Sequence, residues 1–220
     1  NAWVNHLDLL NNPLWVDIAK SQHYVPGPDL KASVSHFYYT AAGPLFTGIL
    51  ITVSIFLYCY TGYPEKKNDD RFSWLTDKRI TVFAASCALG IVIFPTDSDK
   101  VISDNIHIFV TARFTGILHL SFATLFFLSM AIMSIINFRR HPGKVLIKDA
   151  EGKLYLICGF GIIACILALG IYSITRGAGH WLWGRFVYVM EVFILLFFGI
   201  AWLVKGKSIP TEFILKKMNE

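Results

Sequence analysis

Of the chain's 220 residues, 55% are hydrophobic and only 16% are charged, and a mean hydropathy of +0.53 excludes an ordinary water-soluble domain. The net charge of +5 does not point to nucleic acid, because the basic residues gather in alternate loops rather than along one aromatic-rich face. All four cysteines fall inside apolar blocks and no Cys-x-x-Cys occurs, which excludes a disulfide framework or a zinc knuckle.

In chain order, residues 1–37 form a polar segment too short to hold a core of its own. Asn12 and Pro13 have the pattern of an N-cap and first helical position. They predict a short interfacial helix from Leu14 to Ala19 with Trp15 at headgroup level, ended by the Pro26-Gly27-Pro28 break. From residue 38 to 208 five apolar blocks follow, near 41–62, 78–95, 114–137, 154–174 and 183–204. Each is long enough to cross a hydrocarbon core of roughly 30 Å at about 1.5 Å per residue. The expected fold is all-α, an integral membrane bundle of five transmembrane helices, followed by a polar tail over 209–220.

Loop charge sets the orientation. The segment 63–79 carries Lys66, Lys67, Arg71, Lys78 and Arg79, and the segment 138–153 carries Arg139, Arg140, Lys144, Lys148 and Lys153. The tail is basic as well, whereas 96–113 and 175–185 carry few cations. The positive-inside rule then places the C-terminus in the cytoplasm and the N-terminal segment outside, in a bacterial inner membrane. A first span inserted from outside implies either a cleaved signal peptide or, preferably, an upstream helix that would make six spans with both ends inside.

Small residues recur in the second block (Ala84, Ala85, Ser86, Cys87, Ala88, Gly90) and the fourth (Gly159, Gly161, Ala164, Ala168, Gly170). In lipid such faces mark close helix contacts, so both helices are expected at the bundle centre. Two ionisable residues lie inside spans, His119 and Glu191, and even the mildest scale puts the cost of a central charge at about 2.5–3.5 kcal/mol. Counting along their helices places both roughly 9–12 Å below the outer surface, a shared depth that permits direct contact. Ser35, Tyr38, Tyr39 and Arg185 fall at the same outer mouth. With His119 and Glu191 they are the candidate ligand-binding set, Glu191 and His119 being the candidates for any proton chemistry. No paired spacing such as His-x-x-x-His supports a metal site, and no cofactor is assigned.

The run from Ser33 to Thr40 (SVSHFYYT), leading into Phe46 to Leu50, Phe56-Leu57 and Tyr60 to Tyr63, resembles small multi-pass bacterial membrane proteins of the DUF998-like family. The likeness continues in Ala88 to Thr96, in His119 to Ala123 with Phe126-Phe127, and in Glu191 followed by Gly199 to Gly206. The resemblance implies a six-span bundle with a helix before the external segment, and it supplies no activity. This sequence departs from it in the length of the external segment and at His36 and Pro44. The expected function is a pocket that binds a small ligand or lipid, or an accessory subunit whose partners are membrane lipids and other membrane subunits. The alternative is an intramembrane lipid-processing enzyme, possibly metal-dependent, using Glu191 and His119.

Overall fold

A computed structural model describes residues 31–40, 42–62, 74–96, 112–140, 150–175 and 185–207. The expected interfacial helix at 14–19 and the tail at 209–220 lie outside these residues. The described residues form a short 3-10 turn, Ser35–Tyr39, and five α-helices: α1 Gly43–Cys59, α2 Asp77–Ile93, α3 Ala112–Ile132, α4 Ala150–Ile174 and α5 Phe186–Lys205. A single π-helical turn, Met133–Asn137, continues α3.

Local chemistry sets the ends. Pro44 occupies the first turn of α1, where its missing N–H costs nothing. Thr76 caps α2, its hydroxyl accepting the Arg79 N–H at 3.2 Å, and Asp77 adds a negative charge in the first turn. Pro95 ends α2 by forcing Phe94 into extended backbone. At Gly62, φ is +64°, and a Cβ there would lie 2.2 Å from that of Asp77, so both conformation and space demand glycine.

Successive helices pack antiparallel. The Ser54 hydroxyl donates to the Ala85 carbonyl at 2.8 Å and the Thr81 hydroxyl to that of Tyr60 at 3.5 Å, tying α1 to α2. Ser134 donates to the Tyr155 carbonyl at 2.8 Å, tying the π turn to α4. Such hydroxyl bonds hold helices together where no water competes.

The bundle exposes apolar side chains and buries several polar ones beside its apolar core. Leu45, Ile49 and Ile55 on α1, Phe83 on α2, Leu120 on α3, Phe160 and Ile171 on α4, and Leu196 on α5 are exposed, while Ser54, Thr81, Thr115, Ser134 and Asn137 are buried. A lipid environment suits that distribution. Among the described residues, three helices are long and apolar enough to cross a membrane: Phe114–Asn137, Ala150–Ile174 and Phe186–Lys205. Helices α1 and α2, each 17 residues, are shorter.

The expectation of two central small-residue helices is met by α2, where Ala84, Ala85, Cys87, Ala88 and Gly90 are all buried. It fails for half of α4. Cys158 and Gly159 pack inward, but Ala164 and Gly170 face outward, because beyond Ile162 only one stripe of α4 meets the neighbouring helices. The space a Cβ would meet sharpens the difference: at Gly90 it would lie 2.5 Å from the Phe122 ring, whereas at Gly170 nothing lies within 4 Å. Gly90→Ala should therefore cost about 1–3 kcal/mol by overpacking and lower the melting temperature in detergent. Gly170→Ala should leave it unchanged or raised.

Candidate functional site

One end of the bundle is organised by residues 31–40, whose 3-10 turn packs against α1 and which hydrogen-bond to α3, α5 and Thr96 just beyond α2. On α5, the first-turn N–H of Tyr188 has no partner within its own helix, and it donates to the Ala32 carbonyl at 3.0 Å. One turn further along, Glu191 Oε2 accepts the Val34 N–H at 2.6 Å. Helix α5 thus grips residues 32 and 34, just ahead of the 3-10 turn. The Phe37 and Tyr188 rings meet above this grip, their centroids 6.3 Å apart.

On the other side, the C-terminal carbonyls of α2 need donors. His119, buried on α3, places Nδ1 2.8 Å from the Phe94 carbonyl and Nε2 2.9 Å from the Ser35 hydroxyl. A carbonyl only accepts, so Nδ1 carries a hydrogen. In the neutral ring Nε2 is then the acceptor and Ser35 the donor. Tyr39 closes the same edge, its phenol donating to the Thr96 carbonyl at 2.6 Å. Ser33 Oγ pairs with His36 Nδ1 at 2.6 Å and also accepts the His36 N–H at 3.3 Å, which fixes the start of the 3-10 turn.

Of the predicted site residues, Ser35, His119 and Glu191 come together. The direct contact expected between His119 and Glu191 is replaced by a relay, since no hydrogen bond joins them and they hold consecutive residues, Ser35 and Val34. The segment's own polar groups satisfy both side chains, which removes the need for a mutual pair. Tyr38 stands edge-on to Tyr39 at 5.1 Å, and its burial pushes its phenol above the ordinary tyrosine range. It makes no hydrogen bond to His119 or Glu191. Arg185 sits at the N-cap of α5, two turns or less above Glu191.

A second polar cluster, at the basic end, was not foreseen. Asn137, fully buried on the π turn, donates to Asp77 Oδ1 at 2.7 Å and to the Leu75 carbonyl at 3.2 Å. Arg140 reaches the same carbonyl at 2.6 Å, and Lys205 donates to the Phe138 carbonyl at 3.0 Å. The signal available in the sequence was the Thr76-Asp77 cap and an amide closing the third apolar block. Near this end a cleft of about 840 Å³ opens between α1 and α5, lined by Val53, Phe56, Tyr60, Phe198 and Trp202. Among the described residues, no group of three or more His, Cys, Asp or Glu is placed to hold a metal ion.

No family model, curated protein or solved structure matches the chain.

The Glu191 bond is separable from its charge. In Glu191→Gln the amide oxygen still accepts from Val34, so the melting temperature in detergent should stay close to wild type. Glu191→Ala strands a buried N–H and should cost about 1–3 kcal/mol.

Proposed function

We propose that the chain is a five-span inner-membrane protein of the DUF998-like kind. Its outward-facing site, built on Ser35, His119 and Glu191 with Tyr38 beside it, binds the polar part of a lipid or a small amphiphile. One observation carries this: two ionisable side chains from α3 and α5, set in otherwise apolar helices, converge on neighbouring residues of one segment at one end of the bundle. Intramembrane ionisable groups are retained at a cost, and they mark binding or reaction sites more often than packing alone.

Five crossings are supported by the exposed apolar face of α1, which matches those of the three longer helices, and by the packing of α2 between α1 and α3 with Phe83 and Ile93 exposed. At about 25 Å each, these two helices fit a locally thinned bilayer. Loop charge puts the Ser35 end outside. Accessory binding of another membrane subunit is a second reading, favoured by the small residues Ala164 and Gly170 left open on α4.

Lipids extracted from protein purified out of native membranes should be enriched in one headgroup class relative to the bulk membrane. The enrichment should fall in Ser35→Ala and Glu191→Ala. A bulk-like profile for the wild type would remove the binding role. For orientation, green fluorescent protein fused after Glu220 should fluoresce, and alkaline phosphatase at the same position should be inactive; an active phosphatase would invert the assignment.

A further inference from the structure

Building on the outward-facing site proposed above, we infer that Ser35 and His119 form a nucleophile–base dyad that cleaves carboxylic esters of long-chain acyl lipids, with Glu191 as a positioning residue.

Three observations lead there. The Ser35 hydroxyl lies 2.9 Å from His119 Nε2, within proton-transfer reach. The imidazole is held from behind by the Phe94 carbonyl at 2.8 Å, which fixes the tautomer with a bare Nε2, the role an acidic side chain fills in other dyads. And the two groups differ in access, His119 being buried while Ser35 is only half-buried, so the oxygen keeps a face open to an incoming carbonyl. Activating a hydroxyl requires this asymmetry, a protected base beside an approachable nucleophile.

Glu191 contributes one residue away. By holding the Val34 N–H at 2.6 Å it fixes the backbone that presents Ser35, and it touches neither the hydroxyl nor the imidazole. The substrate class follows from the surroundings: α3 buries His119 on its inner side and exposes Ile117 and Leu120 on its outer side, and a bundle with so apolar an exterior draws acyl chains to the end where the dyad lies. Side chains on a helix lean toward its N-terminus, which for α3 carries the imidazole outward, toward the depth of lipid ester groups.

The step balances without a cofactor. Ser35 Oγ bonds to the ester carbonyl carbon as its proton passes to His119 Nε2. The ester C–O bond then breaks, the departing alcohol takes that proton, and the acyl group stays on Ser35. Water completes the cycle: its oxygen bonds to the acyl carbon, its proton goes to Nε2, and the Ser35 C–O bond breaks as the proton returns to Oγ.

A long-chain alkyl fluorophosphonate, applied to the full chain in phospholipid nanodiscs, reads this directly. The wild type should gain one adduct, mapped by peptide mass spectrometry to Ser35. Labelling should vanish in Ser35→Ala, persist in Ser33→Ala, and slow at least about 100-fold in His119→Gln; it should also slow in Glu191→Ala and be partly rescued in Glu191→Gln, whose amide oxygen still accepts from Val34. No wild-type adduct, or an adduct on another serine, would overturn the dyad, and neither outcome depends on any variant folding. Lipid enrichment with no adduct would leave the binding role standing and discard the chemistry; an adduct without enrichment would do the reverse.

Discussion

Hydrocarbon offers no hydrogen-bond partners, so every polar atom that enters it must be satisfied by the protein. Residues 31–40 lie at one end of the bundle as a short irregular stretch followed by a 3-10 turn, which satisfies its own backbone in part and leaves the Ala32 carbonyl and Val34 N–H to find partners on the helices. They are admitted because α5 supplies a donor and an acceptor, Tyr188 N–H and Glu191, and α3 supplies an imidazole. The relation is mutual. Without the segment, Glu191 and His119 would be polar groups facing an apolar bundle, and the carbonyl end of α2 would lose the support of Tyr39.

The two ends of the bundle solve this problem differently. At the end that holds Ser35, two side chains from two helices reach one segment, Glu191 at the Val34 N–H and His119 at the Ser35 hydroxyl, and the segment's own Tyr39 reaches the Thr96 carbonyl. At the basic end Asn137 bridges Asp77 and the Leu75 carbonyl, Arg140 reaches that same carbonyl, and Lys205 covers the Phe138 carbonyl just past the π turn. The π turn matters here, since its wider winding brings Asn137 round to Asp77 at the place where a continuous α-helix would have turned it elsewhere. Single hydroxyls also pin neighbouring helices, Ser54 midway along α1 and Ser134 on the π turn.

How far the sequence disclosed this follows from what each feature depends on. Helix positions were legible because apolar blocks and loop cations act locally; Pro44 and Pro95, which mark the start of α1 and the end of α2, were signals that block length alone did not use. The start of α4 lies at Ala150 rather than 154 because Glu151 and Lys153 belong to a helix that begins in the headgroup region, which hydropathy alone treats as loop. His119 and Glu191 stood out by their cost in lipid. Their partners did not, because the Val34 N–H and the Phe94 carbonyl are backbone groups and every sequence contains those. Asp77 and Asn137 were passed over for the opposite reason: each sits at the edge of an apolar block, where a polar residue is unremarked. The outward turn of Ala164 and Gly170 depends on how α4 lies against its neighbours, a tertiary fact that small size does not encode.

The bond between Val34 and Glu191 spans 157 positions of the chain. During synthesis, the earliest part of the described protein therefore waits for the latest helix before it has an acceptor to settle on. Until α5 arrives, Ser35 and Tyr39 can already meet His119 and Thr96, but Val34 and Ala32 lack their partners. A chain interrupted ahead of α5 would therefore keep the second half of the segment seated and leave its first residues loose.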